Sequence, residues 1–129
     1  MTATPKVPVV LIVDDQRVVL RVYGLALEGA GYQVRVADSA DAALESVRDD
    51  KPDAVVVDLT MPYINGMGLL YRLRDIAPTI PVAMITGMTN VTDETRQELD
   101  SLGIPLHFKP LGPAQIANIV ESLIGTSRE

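Results

Sequence analysis

The sequence predicts an α/β fold in which a parallel β-sheet is covered by helices on both faces. Short runs of β-branched apolar residues alternate along the chain with longer stretches of helical periodicity. Two of the short runs, VVLIV and AVVVD, lack the polar alternation of half-exposed strands and indicate strands buried on both faces. Because strands that alternate with helices imply right-handed βαβ crossovers, we expect a doubly wound sandwich with five parallel strands.

The pattern predicts ten elements in alternating order. The strands are expected at Val7–Val13, Gln33–Ala37, Ala54–Val57, Pro81–Ile85 and Leu106–Phe108. The helices are expected at about Gln16–Gly29, Ala40–Asp49, Met67–Ile76, Thr92–Leu102 and Pro113–Ile124. Glycine and proline support these ends, since Gly31 follows the first helix, Pro52 the second, Pro78 the third and Gly103 the fourth.

Length and composition indicate a soluble protein of one domain. The 129 residues are expected to form a single unit with a core at about residues 7–124 and a short tail at each end. The formal charge of −6 argues against direct binding to nucleic acid. No apolar run approaches the roughly 18–20 residues of a membrane span, so we expect no membrane insertion. The absence of cysteine fits a cytoplasmic location.

Polar residues stand where the predicted strands end. Asp14 and Asp15 follow the first strand, Asp58 the third, Thr86 the fourth and Lys109 the fifth. In an open parallel sheet, ligands bind outside the carboxyl ends of the strands. We therefore expect three carboxylates, a hydroxyl and an ammonium to converge on one edge of the sheet.

This set of side chains suits a divalent cation and a phosphoryl group. Three neighbouring carboxylates would raise each other's pKa unless a cation lay among them. An all-oxygen ligand set without histidine or cysteine favours a hard ion, Mg²⁺ before Ca²⁺. Mg²⁺ takes only one or two carboxylates, which leaves Asp58 available as a nucleophile that forms an acyl phosphate. Lys109 and Thr86 would then contact the phosphoryl oxygens.

The order of these motifs on successive strand ends is specific, although each motif alone is common. The motifs are Asp14-Asp15, Asp58-Leu59-Thr60-Met61-Pro62 with Gly66 eight positions after Asp58, Thr86-Gly87, and Lys109-Pro110. In this combination the chain resembles the response-regulator receiver family of two-component signalling, over roughly residues 7–124. The resemblance implies a (βα)₅, flavodoxin-like receiver fold similar to that of the chemotaxis regulators.

The resemblance also implies a role for each of these residues. Asp58 would be the phosphoacceptor, and Asp14, Asp15, Asp58 and the backbone carbonyl of Thr60 would hold Mg²⁺. Thr86 and Lys109 would hold the phosphoryl group, and the bond between Lys109 and Pro110 would be cis. The donor would be a phosphohistidine on a sensor histidine kinase or a histidine phosphotransfer protein. The receiver of the signal would be a downstream protein or a second copy of the chain.

Four positions depart from the common family pattern. Leu106 stands where many receivers have the aromatic residue that rotates on activation, and Leu111 replaces an aromatic after Lys109-Pro110. Thr60 and Met88 occupy the positions that set phosphoryl lifetime in the family. Because Met88 offers no polar group to orient water, we expect a long-lived phosphoaspartate. The chain is thus predicted to be no enzyme but a phosphoacceptor that catalyses its own phosphorylation and slow dephosphorylation.

Three alternatives remain open at the level of sequence. A receiver-like docking module would signal without phosphorylation, and Leu106 is compatible with that interpretation. A Mg²⁺-dependent phosphohydrolase would normally need a second acid two residues after Asp58, where this chain has Thr60. A nucleotide or flavin binder would need a glycine-rich or hydroxyl-rich loop after the first strand, where this chain has Asp-Asp-Gln-Arg.

Overall fold

The computed structural model describes residues 7–61, 64–87 and 91–127. Its strands are β1 (Val9–Val13), β2 (Gln33–Ala37), β3 (Ala54–Asp58), β4 (Thr60–Met61), β5 (Ile64–Asn65), β6 (Val82–Thr86) and β7 (Leu106–Phe108). Its helices are α1 (Arg17–Gly29), α2 (Ala40–Asp49), α3 (Gly66–Ile76), α4 (Asp93–Ser101) and α5 (Pro113–Ser127). The fourth and fifth predicted strands are therefore β6 and β7.

Five parallel strands form one sheet, in the order β2-β1-β3-β6-β7. The α/β prediction and its doubly wound topology are confirmed. β1, β3 and β6 lie inside the sheet and are buried along their whole lengths. Their near-continuous apolar sequences follow from this position, because both faces of a central parallel strand are covered by helices.

Two hydrophobic clusters fill the space on the two sides of the sheet. On one side Leu11 and Val13 of β1 face a cluster that includes Leu44 of α2 and Leu70 of α3. On the other side Val10 and Ile12 of β1 belong to a second cluster, which contains residues of α1 and α5. The alternation within β1 is the two-residue period of a strand, so one five-residue run supplies both cores.

The observed ends differ from the predicted ones by one to three residues, and the reasons are local. β1 begins at Val9 rather than Val7, whose side chain is 51% exposed. Thr92 is the N-cap of α4 rather than its first residue, because its hydroxyl accepts the Thr95 N–H at 3.2 Å. α5 continues beyond Ile124 to Ser127. Gly103 has φ +71°, the left-handed conformation of a residue that ends a helix.

The short antiparallel hairpin formed by β4 and β5 was not predicted; it begins two residues after Asp58. Two-residue strands carry too little periodicity to be recognised from sequence. Pro62, Tyr63 and Met88 lie outside the described residues, so the expectation placed on Met88 stays a prediction. No helix within the described ranges combines the length and the apolar character that crossing a membrane requires.

Candidate functional site

The acidic residues of the predicted site meet at the carboxyl edge of the sheet. Asp14 follows β1 directly, and Asp58 is the last residue of β3, the neighbouring strand. Asp14, Asp15 and Asp58 each contribute one carboxylate oxygen to a group whose members lie within 4.8 Å of one another. Asp14 and Asp58 are buried and Asp15 is exposed, so the group opens to solvent on the side of Asp15.

Lys109 joins this group from the end of β7. Its ammonium donates a hydrogen bond to Asp14 Oδ2 at 2.9 Å and forms an ion pair with Asp58 Oδ2 at 3.5 Å. Burial lowers the pKa of Lys109, but the Asp14 hydrogen bond and the two carboxylate charges outweigh that effect, so the pKa is raised. The ammonium therefore stays charged through the physiological range.

Backbone hydrogen bonds hold the chain on both sides of these residues. The Gln16 N–H donates to Asp14 Oδ1 at 2.9 Å, which fixes the carboxylate over the start of α1. The Leu59 N–H donates to the Ile85 carbonyl at 2.8 Å and ties the residue after Asp58 to β6. The Lys109 N–H donates to the Thr86 carbonyl, also at 2.8 Å. The last two of these bonds continue the sheet, so the ends of β3, β6 and β7 are held in place relative to one another.

Thr86 and Thr60 are found at the positions their motifs suggest. Thr86 is the last residue of β6 and is fully buried, beside the backbone of Lys109. Thr60 opens β4, two residues after Asp58. The peptide bond between Lys109 and Pro110 is cis, as expected. The roles of Thr86 in holding a phosphoryl group and of the Thr60 carbonyl in holding a metal stay predictions.

Gly66 supports the site although it carries no side chain. A Cβ at this position would lie 2.8 Å from Leu59 Cα and 2.9 Å from the Asp58 carbonyl oxygen. Contacts this short with backbone atoms cannot be relieved by a change of rotamer. The close approach of α3 to the chain after Asp58 thus requires glycine, which explains the eight-residue spacing noted in the sequence.

The chemistry of the cluster fits a small divalent cation. One ammonium can balance only one of the three carboxylate charges that lie together. Carboxylate oxygens are the ligands that Mg²⁺ prefers, and an exposed side at Asp15 leaves space for the waters that Mg²⁺ retains. Both Asp14 oxygens already accept hydrogen bonds, but each retains a second lone pair.

The edge strand β7 differs from the aromatic pattern that the family resemblance suggested. Leu106 is partly buried against the cluster on the α2 and α3 side of the sheet. Two residues later, Phe108 is 39% exposed, and the guanidinium carbon of Arg96 in α4 lies 5.2 Å from its ring centroid. An arginine at this distance makes a cation–π contact. The face that lacks an aromatic at Leu106 therefore carries one at Phe108.

Tyr23 lies close enough to the site for the site's charges to act on its hydroxyl, which the sequence did not reveal. It lies on the buried side of α1, where its spacing from Leu20 and Leu27 is that of an ordinary core residue. Burial raises the pKa of its hydroxyl, and the charges of Lys109, Asp14 and Asp58 also act on it. A helical period identifies the buried side of α1, but it does not show which charged groups lie near a long side chain.

Comparison with known proteins is consistent with this geometry. The family model of the response regulator receiver domain matches residues 10–121. A probable transcriptional regulatory protein of Mycobacterium tuberculosis, TcrX, is 33% identical over 84 residues, or 65% of this chain and 36% of its own length. The response regulator MprA of Mycolicibacterium vanbaalenii gives the same identity and coverage. The matched region thus spans about a third of each of these relatives.

Solved structures with the same architecture include chains of similar length and much longer chains. A putative response regulator from Chloroflexus aurantiacus has a TM-score of 0.81 and 31% identity, over 93% of this chain and 99% of its own. NtrX from Brucella abortus has a TM-score of 0.85 and 27% identity, over 95% of this chain and 28% of its own. The chemotaxis protein CheY4 of Vibrio cholerae is 24% identical with a TM-score of 0.83, over 92% and 99% of the two chains, and shares the fold.

Proposed function

Because the chain belongs to the response-regulator receiver family of two-component signalling, we propose that it is a phosphoacceptor switch in which Asp58 takes up the phosphoryl group. The observation that carries this proposal is the group of three carboxylates within 4.8 Å, joined by the Lys109 ammonium. Asp58 is 3% exposed, and because a buried carboxylate is costly unless it is paired, its ion pair with Lys109 fits a carboxylate kept charged inside the site.

In the proposed reaction, a carboxylate oxygen of Asp58 attacks the phosphorus of a phosphohistidine. A P–O bond forms as the P–N bond breaks, and the imidazole leaves with the bonding electron pair. Lys109 supplies a fixed positive charge for the phosphoryl oxygens, and the Thr86 hydroxyl would supply a hydrogen bond. The Lys109 ammonium is already held between Asp14 and Asp58, so little reorganisation is needed.

Asp14, Asp15, Asp58 and the Thr60 carbonyl would hold the Mg²⁺ ion. When bound, Mg²⁺ would neutralise charge on the transferring phosphoryl group. Asp14 would position the ion and the Lys109 ammonium together, since it is hydrogen-bonded to Lys109 and to the start of α1. The shared carboxylate couples the metal site to the phosphoryl site.

The partners that fit this reaction are proteins. The donor would be a sensor histidine kinase or a histidine phosphotransfer protein, and the target a downstream protein or a second copy of the chain. Phosphorylation adds a charge of about −1.5 to −2 at Asp58. We expect Thr86 and the chain after it to move toward that charge and to change the surface formed by α4, β7 and α5. A cytoplasmic location follows from these partners.

Two of the alternatives, the docking module and the phosphohydrolase, have less support at this site. A docking module that is never phosphorylated would have no need for three clustered carboxylates with a lysine. A phosphohydrolase would need an acid in the position of Thr60. The chain is therefore proposed to catalyse only its own phosphorylation and slow dephosphorylation.

Incubation with acetyl phosphate and Mg²⁺, followed by a phosphate-affinity gel, tests the proposal. We expect a shifted band from the original chain and none from Asp58→Asn or in the presence of EDTA. Asp75→Asn is a matched control, since Asp75 is an exposed acid on α3, and it should shift like the original chain. A shifted band in Asp58→Asn would move the phosphoacceptor elsewhere. No band with acetyl phosphate or with a phosphohistidine donor would favour the docking module.

A further inference from the structure

A groove lies at the amino edge of the sheet, on the opposite side of the molecule from the acidic site. Its lining includes Pro81, which directly precedes β6, and Pro105, which directly precedes β7. The carboxyl ends of the same two strands carry Thr86 and Lys109. The groove has a volume of about 770 Å³, which lies within the range of sites that bind small organic molecules.

The walls of the groove are mostly apolar, with a few polar groups among them. Two buried walls belong to the hydrophobic cluster on the α2 and α3 side of the sheet, and two to the cluster on the α1 and α5 side. These four residues are Val82, Ile104, Ile119 and Leu123. The groove therefore passes around the amino end of β7 from one side of the sheet to the other. Apolar walls with a few polar groups are typical of small-molecule sites, in which the polar groups orient the ligand.

The charge of the groove is opposite in sign to that of the whole chain. The chain has a formal charge of −6, but the described residues that line the groove include no acid and one arginine, Arg74 of α3. Its guanidinium donates one hydrogen bond to the Ile80 carbonyl, which holds it at the groove. No carboxylate in the described ranges forms an ion pair with it. The other N–H groups of the guanidinium are therefore available to an anion.

His107 adds an uncharged hydrogen-bonding group to the same groove. It lies in β7 beside Ile85 of β6, and its side chain is partly buried. Burial lowers its pKa, so the imidazole is neutral at physiological pH. Its ring has no hydrogen-bond partner in the part of the chain that the structure describes. Asn118 of α5 lines the groove as well and offers an amide.

We propose that this groove binds a small amphipathic anion, an apolar molecule with one carboxylate that pairs with Arg74. The planar guanidinium can donate two parallel hydrogen bonds to a carboxylate, while the apolar body lies against Ile119 and Leu123. A single guanidinium balances one charge, which favours a carboxylate over a phosphate monoester with its charge of about −1.5 to −2. The inference does not rest on the proposed function, because no residue of the acidic site lines the groove.

Titration with 2-naphthoate, followed by NMR without Mg²⁺ or a phosphodonor, tests the proposal. His107 is the only histidine of the chain, so its ring Cε1–H gives a single resonance inside the groove. We expect 2-naphthoate to shift this resonance and the amides of residues 103–107 saturably. The matched uncharged ligand, 2-naphthalenemethanol, should bind at least about tenfold more weakly, since it cannot form a charge-assisted hydrogen bond with Arg74.

Two variants with matched controls locate the anion. Arg74→Gln should weaken 2-naphthoate binding by about tenfold or more and leave binding of the alcohol unchanged. Arg72→Gln should change neither, because Arg72 is an exposed arginine of α3 outside the groove. Asn118→Asp, which spares the contact of Arg74 with the backbone, should weaken 2-naphthoate by about fivefold, the effect of a like charge about 4 Å away in water. Gln115→Glu is its control, since it adds the same charge to α5 outside the groove.

Three outcomes would overturn the proposal. The first is no saturable shift of the groove resonances with either 2-naphthoate or octanoate at millimolar concentrations. The second is equal binding of the acid and the alcohol, or equal effects of Arg74→Gln and Arg72→Gln on the acid. The third is a set of shifts confined to residues outside the groove. Failure of phosphorylation at Asp58 would leave each of these results unchanged.

Discussion

At the scale of single residues, Gly66 controls the geometry around Asp58, because its missing side chain leaves space for the backbone of Asp58 and Leu59. Replacement by alanine would put a Cβ 2.8 Å from Leu59 Cα and 3.0 Å from the Leu59 carbonyl oxygen. Because α3 or the chain after β3 must move to relieve this overlap, we expect Gly66→Ala to lower the free energy of unfolding by about 1–3 kcal/mol. Urea denaturation followed by circular dichroism measures this difference.

Gly125 provides the matched substitution with the opposite sign. It lies in α5, and a Cβ at this position would meet no atom within 4 Å. Since alanine is favoured over glycine inside a helix by up to about 1 kcal/mol, Gly125→Ala should stabilise the protein slightly. Equal effects of the two substitutions would show that the space around Gly66 does not matter.

The residues of the candidate site could be identified from sequence because their strands are strongly patterned. A parallel sheet brings the carboxyl ends of its strands together, so Asp14, Asp58 and Lys109 had to meet if the strand prediction was right. Tyr23 could not be identified in the same way. Its position near the charges of Lys109, Asp14 and Asp58 depends on the rotation of α1 and on the path of the chain after β7, which no periodicity describes.

At the scale of elements, the cation–π contact between β7 and α4 provides a reporter of the proposed switch. Phe108 is the direct partner of Thr86 in the pairing of β6 with β7, and Arg96 covers its ring from α4. A movement of Thr86 would therefore reach α4 through Phe108, although Leu106 is not aromatic.

We expect this contact to change when Asp58 is phosphorylated. Phe108 is the only phenylalanine of the chain, so labelling with 4-fluorophenylalanine gives a single ¹⁹F resonance. Addition of acetyl phosphate and Mg²⁺ should shift that resonance in the original chain and leave it unchanged in Asp58→Asn. Arg96→Gln shows whether the resonance reports the contact between Arg96 and Phe108, because loss of the guanidinium should shift it before any phosphorylation. An unchanged resonance in fully phosphorylated protein would exclude Phe108 from the switch.

The elements themselves were largely predictable, and each exception has a local cause. The five strands of the main sheet and all five helices in the described ranges match predicted elements, because each has enough residues to show its period. The hairpin of β4 and β5 was missed because each strand has only two residues. The end of α4 at Ser101 and its start after Thr92 depend on caps, which shift a boundary without changing the pattern.

At the scale of the whole molecule, the acidic cluster should couple metal binding to stability. Folding brings Asp58 beside Asp14 and Asp15, where the carboxylates repel one another, and unfolding separates Asp58 from that pair. An ion that binds only the folded chain stabilises it by about 2.7 kcal/mol at a concentration one hundred times its dissociation constant. We therefore expect Mg²⁺ to raise the midpoint of thermal unfolding, measured by calorimetry at constant ionic strength.

Two comparisons make this expectation specific. Asp58→Asn should lose most of the gain, whereas Asp75→Asn, which changes the net charge equally, should retain it. NaCl at the ionic strength of the Mg²⁺ sample controls for general screening of the acidic surface. The same stabilisation by NaCl as by Mg²⁺ would contradict a discrete metal site.

The ion pairs of Lys109 cross long distances in sequence, since it is 95 residues from Asp14 and 51 from Asp58. A ribosome makes the three carboxylates well before it makes this lysine. A nascent chain that stops short of β7 would therefore hold the acidic residues without the ammonium that pairs with them. Such a chain could attract a cation but would lack the charge proposed to hold a phosphoryl group. Competence to receive a phosphoryl group would then arise only late in synthesis.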